Sequence, residues 1–293
     1  MKTRTWNSDR VFDLVNSIFI AFVFIIIVYP LVFVISASVS NPIEVLAGRM
    51  WLIPRGFNVE AYRRIIGNND LWTGYRNTIV YTVLGSTFGV VMTMLAAYPL
   101  SRKKFFGKNL LMGYFTFTMF FSGGLIPTYM LVTSLGLINN LWVMIIPGAV
   151  SVFNMIIART FLQSTVPEEL YEAGYMDGSS DFNLLISVVL PLAKPILAVL
   201  ALLYAVGHWN SFFHPLIYLR DRSRFPLQMI LREILLMGQV EMEDALELDM
   251  HRFLIVESIK YAVIIVSTVP ILMVYPFLQK FFMKGVMIGA IKG

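Results

Sequence analysis

Few side chains in this 293-residue chain are equipped to act on anything outside it, and the densest group of them lies in one stretch. In "PEELYEAGYMDGSSDFNLLISVVLPL", residues 167 to 192, Glu168, Glu169, Glu172, Asp177 and Asp181 bring five carboxylates together. Acids in a first turn favour the N-terminal end of a helix dipole, and Thr165-Val166-Pro167 supplies a start signal. Ala173 and Gly174 leave a helix face with little bulk, and Gly178 lets the chain turn where a Cβ would obstruct it. The pattern predicts a short helix, a bend and a second helix, after which Leu190 and Pro191 open an apolar segment. An acidic knob facing anionic lipid headgroups would be repelled. It fits a protein partner that offers arginines.

The elements around this stretch must lie in a membrane. Of the residues 57% are hydrophobic and 14% charged, well below the roughly 25% charged of a soluble domain, and mean hydropathy is +0.72. The apolar residues come in blocks long enough to cross about 30 Å of hydrocarbon as helices, without the alternation of a barrel strand. Six spans are expected, at 11–37, 76–100, 110–133, 141–163, 190–218 and 258–282, forming one all-α integral membrane domain over residues 1–293. The first is too long for a signal-peptide core and is kept as a span. Residues 164–189 form the acidic loop; residues 38–75 and 219–257 form the two long loops.

Lysine and arginine in short loops set the orientation. "SRKKFFGK" carries Arg102, Lys103, Lys104 and Lys108, whereas "SLGLINN" carries none. Both termini, the basic turn and the acidic loop are therefore expected in the cytoplasm, and the two long loops outside. The net charge of +5 has a topological use, and no nucleic-acid partner is expected.

Absences narrow the function further. The chain has no cysteine, so disulfides, thiolate metal sites and thiol catalysis are excluded. It has no GxxxxGK[ST] stretch, and no His/Asp/Glu or nucleophile cluster lies at membrane depth. No catalytic residue and no metal ligand is expected. Buried ionisable groups mark ion and proton relays, yet the middles of the first four spans and the sixth hold none. That argues against an ion-coupled secondary transporter of a small solute, the alternative class. His208, in the fifth span, is the exception; a lone histidine near an interface is more often a packing residue than a relay. Asn154, Tyr204, His208, Trp209 and Asn210 are candidates for a translocation path, since aromatic faces with amides and hydroxyls suit sugar rings. Helix–helix hydrogen bonding accounts for each of them singly. Gly85 and Gly89 form a small-xxx-small packing face.

The acidic stretch has further order. Glu172-Ala173-Gly174, Gly178, Val188 and Leu190-Pro191 fit the pattern E-A-A/G, three residues, G, nine residues, I/V, one residue, L-P. That pattern resembles the "EAA" signature of permease subunits in binding-protein-dependent ABC importers, with Gly174 for the commoner alanine and Val188 for isoleucine. "AYPLSRKKFFGKNLL", "SGGLIPTYMLVTSLGLINN", "WNSFFHPLIYL" and the ending "GVMIGAIKG" are similar to the carbohydrate branch: the smaller maltose-importer permease, oligosaccharide permeases and alginate-importer permeases.

The resemblance implies six transmembrane helices of the type I ABC importer permease fold in a bacterial inner membrane. It implies a cytoplasmic coupling helix in which Glu168, Glu169, Glu172, Ala173, Gly174, Asp177, Gly178, Leu190 and Pro191 serve contact with an ATPase subunit. Gly285, Gly289, Lys292 and Gly293 would place the tail against the ATPases. The partners implied are a second homologous permease, two ATPase subunits, a solute-binding protein and an oligosaccharide, with membrane lipid around them. The chain itself would be no enzyme and bind no cofactor; ATP and Mg would sit on the ATPases.

Overall fold

The computed structural model describes residues 5–244, 254, 256–273 and 276. Every regular element among them is helical. The chain divides into two compact units.

The first unit comprises Met1–Asn69 and Leu231–Val269. It opens with α1 (Thr5–Ser38), whose candidate span Arg10–Ser38 has no buried residue in its most apolar window. Phe19, Phe22 and Ile25 are each about three-fifths exposed, as suits a helix bathed in lipid. After it come α2 (Pro42–Leu46) and α3 (Glu60–Ile66). They fold back on the end of α1: the Ser36 hydroxyl donates to Leu52 O at 2.5 Å and the Tyr62 hydroxyl to Ser38 Oγ at 2.8 Å. The expected 38–75 loop thus ends at Asn69, where α4 begins, and its first part is held by polar groups at the end of α1.

The second unit comprises Asp70–Ile230 and Pro270–Gly293. Its axis is α4 (Asn69–Ser101), followed by α5 (Lys108–Phe120) and α6 (Leu125–Ser134). After a short 3₁₀ turn at Leu141–Met144 come α7 (Val152–Thr165), α8 (Glu168–Met176) and α9 (Asp181–Leu184). A π-helical turn, Leu185–Val189, then leads through α10 (Leu190–Leu192) into α11 (Lys194–Trp209) and α12 (Phe213–Tyr218). α13 (Leu227–Asp244) begins in this unit and ends in the first, to which α14 (Val256–Met273) belongs over most of its length.

Among the described residues three helices are long and apolar enough to span a membrane, and up to five spans result if each bent pair counts once. The expected third span is broken: α5 and α6 meet at 112°, where Gly124 takes φ +82°. The expected fourth is a 3₁₀ turn, a break with Gly148 at φ +78°, and the 14-residue α7. The expected fifth bends by 84° before Lys194, with Pro195 in the first turn of α11. In each case a glycine in the left-handed region or a proline without an amide hydrogen ends the helix inside an apolar run.

Small residues on α4 let α11 come close. A Cβ on Gly85 would collide with His208 Nε2, and one on Gly89 would lie 3.1 Å from both Ala149 O and the Tyr204 ring. One turn further along α4, Thr93 Oγ1 shares a 2.6 Å hydrogen bond with the Tyr204 hydroxyl, which also accepts from Ser151 N at 3.0 Å. Gly85, Gly89 and Thr93 thus form a stripe on which α11 lays an aromatic and an imidazole ring. Below it Met94, Ala97, Met155, Ala158, Ile196 and Leu200 close a core between α4, α7 and α11.

The other end of α4 is clasped by polar groups. The Asn77 amide donates to Ser223 O and Phe225 O, and Tyr81 Oη donates to Arg224 O. Asn139, held at φ +55°, accepts from the amides of Arg220 and Asp221 and donates to Asp221 Oδ2 at 2.7 Å. Asparagine tolerates that backbone region better than other non-glycine residues. Asn139→Val is expected to lower the melting temperature of the purified protein by a few degrees, at a cost of about 1–2 kcal/mol; an unchanged thermal shift would contradict it.

Candidate functional site: the acidic helix and its clasp

α8 and α9 form a V about the Gly178 turn. Gly178 has φ +76° and open space where a Cβ would point. The amides of Asp177, Gly178 and Ser179 return to Ala173 O, Tyr175 O and Gly174 O at 2.9–3.0 Å, which closes α8. Ser180 then caps α9, its hydroxyl accepting from Asn183 N at 3.2 Å. A Cβ on Gly174 would collide with Leu184 Cδ2. The small residue therefore serves contact between the two arms of the V as well as leaving α8 slim. Gly178→Val is expected to cost about 1–2 kcal/mol through the left-handed backbone, seen as a lower melting temperature in detergent, while Gly178→Asn keeps most of the stability.

Three of the five acids are engaged within the chain. The Glu168 carboxylate, only 19% exposed, lies 3.6 Å from Arg102 Nη2. Glu172 pairs with Lys104 at 3.3 Å, but both are more than half exposed, and such a pair contributes little. Asp181 accepts from the Tyr175 hydroxyl at 2.6 Å. That bond raises the Tyr175 phenol above its ordinary range, with burial adding to it. Burial raises Tyr171 too, against the nearby positive charge of Arg102. Glu169 and Asp177 are exposed and make no ion pair among the described residues. Of the five, Glu168 turns inward and Glu172 has a basic neighbour of its own.

What α8 presents outward is mixed in character. Leu170, Ala173 and Met176 recur at helical spacing and are exposed, Met176 to 89%. Glu169, Glu172 and Asp177 flank them. This is an apolar stripe with an acidic rim, the usual anatomy of a protein contact. Pro191 is exposed at the base of the bent pair, and Leu190 is partly buried against the core.

The path candidates are distributed differently. Asn154 and Tyr204 are each 7% exposed. Tyr204 and His208 face the glycines of α4, so packing occupies them. Trp209 lies 6.4 Å from the Tyr75 ring, and Asn210 donates back to Val206 O at the end of α11. Among the described residues no group of His, Cys, Asp or Glu is arranged to hold a metal ion. Gly285, Gly289, Lys292 and Gly293 lie outside the described residues, as does the end of the sixth span beyond Met273, Pro276 excepted. The residue that sequence reasoning misses is Arg102, a topological charge in the basic turn that the structure buries under α8.

Comparison with known proteins decides the family. Residues 85–288 match the model of the binding-protein-dependent transport system inner membrane component. The chain belongs to that family. It is a permease subunit of the ABC importer class, and the matched region contains the acidic V, the glycine stripe of α4 and α11. The permease is 39% identical to the protein LplC of Bacillus subtilis, over 98% of this chain and 97% of that one. It is 38% identical to the polygalacturonan/rhamnogalacturonan transport system permease protein YtcP of the same organism, over 97% and 99%. In structure it superposes at TM-score 0.83, with 34% identity, on a chain of a bacterial ABC transporter involved in the import of the acidic polysaccharide alginate, covering 94% of this permease and 98% of that chain. The fold is therefore the type I ABC importer permease fold, as the signature implied. Membership in a binding-protein-dependent system implies a solute-binding protein and an ATPase as partners.

Proposed function

We propose that this permease is one of two membrane subunits of an ATP-driven importer that moves short acidic oligosaccharides from a solute-binding protein into a bacterial cytoplasm. The observation that carries the mechanism is the apolar, acid-rimmed stripe of Leu170, Ala173 and Met176 on a V whose arms are packed together. α8 is the contact with an ATPase subunit, and its partner permease presents the equivalent helix to a second one. ATP and Mg belong to those subunits. Closure of the ATPases draws the two helices together, and the bundles rock between inward- and outward-facing states.

The substrate class rests on two relatives named for carboxylate-bearing sugar polymers, polygalacturonan and alginate. The basic turn at Arg102–Lys108 and the acidic loop face the cytoplasm with both termini, by the lysine and arginine bias of short loops. Residues 38–75 and 219–257 then face the binding protein. Arg55 and Arg63, exposed in the first of these loops and in no ion pair among the described residues, suit an anionic sugar or an acidic rim on its carrier.

Deletion of the gene tests the substrate class. Uptake of a labelled short oligogalacturonate or oligoalginate is expected to be lost without the chain and restored by it, while uptake of a neutral maltooligosaccharide is unchanged. Loss of the neutral sugar with the acidic ones retained would overturn the assignment.

A further inference from the structure

Arg102 lies in a turn where Lys103 and Lys104 are exposed, Lys108 is half-buried and Phe106 is 97% exposed, yet it is itself 7% exposed. A guanidinium taken out of water needs compensation; here the acidic loop supplies part of it, while Arg102 Nη1 has no hydrogen-bond partner among the described residues. The Tyr171 ring centroid is 3.2 Å from Arg102 Cζ, so the ring lies against the planar cation. Arg102 Nη2 donates to the Tyr175 hydroxyl at 3.3 Å and faces the Glu168 carboxylate at 3.6 Å. Tyr175 in turn donates to Asp181 on the other arm of the V. One turn back on α4, the Tyr98 hydroxyl donates to Asp181 O at 3.2 Å. The contacts close a ring from the end of α4 through α8 to α9 and back to α4. Both sides of the Gly178 turn are tied to the same helix end, and Leu184 against Gly174 fills the angle between them. Arg159 Nε adds a 3.0 Å bond from α7 to Leu100 O.

We propose that Arg102 is the positioning residue that makes the acidic V and the end of α4 move as one body, so that a load on α8 is delivered into the second span instead of being lost in bending at Gly178. This rests on the reading of α8 as the ATPase contact. An ammonium cannot replace the guanidinium, because a compact, strongly hydrated point charge has no planar face to lay on the Tyr171 ring. Lys104 with Glu172 is no substitute either, since that pair is solvated.

The test is the ratio of ATP hydrolysis with the solute-binding protein to that without it, measured on the assembled transporter in proteoliposomes. A purely structural residue would lower both rates together and leave the ratio alone. Arg102→Ala is expected to lower the ratio about tenfold and Arg102→Lys several-fold, whereas Tyr175→Phe, which keeps the ring contacts but loses the bonds to Arg102 and Asp181, lowers it about twofold. Should Arg102→Ala fail to assemble, the lysine and phenylalanine variants carry the test. A ratio in Arg102→Lys and Tyr175→Phe equal to that of the unmodified transporter would overturn the proposal. Met176→Glu separates the two readings. If it abolishes ATPase association while the Arg102 variants keep the full ratio, only the role of Arg102 falls. If Met176→Glu associates normally, the assignment of α8 falls and the Arg102 proposal with it.

Discussion

Met176→Glu is expected to release the ATPase subunits from the membrane and abolish stimulated ATP hydrolysis, while leaving the fold of the free permease unchanged. Met176 is 89% exposed at the end of α8, so a glutamate there meets only water in the isolated chain. With α8 as the proposed ATPase contact, the same position would lie within the apolar stripe that the ATPase covers. Burying a carboxylate without a partner costs several kcal/mol, and each 1.4 kcal/mol is about tenfold in affinity. The loss should therefore exceed about a hundredfold, enough to remove the ATPase during purification of the complex. Leu170→Glu, nearly two turns earlier on the same stripe, should act in the same direction. Its effect should be smaller, because Leu170 is 41% exposed and already half covered by its own chain. Co-purification of the ATPase with each variant is the measurement. Equal recovery with Met176→Glu and the unmodified chain would contradict it.

Gly85→Leu is expected to be the most damaging single substitution in the membrane core. A Cβ alone would collide with three atoms of the His208 ring. A rigid imidazole cannot fold away as an aliphatic tip can, so α4 and α11 must part. Their separation would break the Thr93–Tyr204 bond further along the stripe and expose the Tyr204 hydroxyl that also holds Ser151 N. Overpacking of this kind costs about 1–3 kcal/mol by itself, before the lost hydrogen bonds are counted. The expected result is a fall in the yield of monodisperse protein and in its melting temperature. Gly174→Leu is the informative contrast. Its clash is with Leu184 Cδ2, the end of a flexible side chain that can turn aside more readily than a ring, although Leu184 is itself buried, so its stability loss should be the smaller. A variant Gly85→Leu as stable as the unmodified chain would refute the close packing of α4 on α11.

Most of the membrane character is legible in hydropathy, and the acidic V is legible in one short stretch. Gly178 takes the turn expected of it, whereas Leu190 and Pro191 lie in the helical run that continues from α9, and the bend comes later, before Lys194. The breaks inside three apolar runs escape such a reading, although their signals are present. "SGGLIP" and "IIPGAVS" carry glycines and prolines that end helices, but the flanking residues are so apolar that a hydropathy window runs straight through them. The bent α5–α6 and α10–α11 pairs read as straight spans for that reason. Arg102 illustrates a deeper limit. In sequence it belongs to a run of basic residues with an obvious topological use. Its burial depends on Glu168, Tyr171 and Tyr175, more than 60 residues away, a pairing that no local pattern encodes. The same holds for Tyr204 and His208. Their chemistry suits a sugar path, yet Gly85, Gly89 and Thr93 claim them for packing.

The central claim, that α8 is the face through which the ATPase acts, is open to a direct measurement because the chain contains no cysteine. A single Met176→Cys substitution gives one thiol, whose reaction with a maleimide can be followed in the assembled transporter and in the permease freed of its ATPase subunits. Ser134→Cys, at the end of α6, serves as the reference. The expected result is that the thiol at position 176 is slowed at least about tenfold by the ATPase, as befits a covered interface residue, while the reference thiol reacts equally in both. Equal labelling at position 176 with and without the ATPase would contradict the claim.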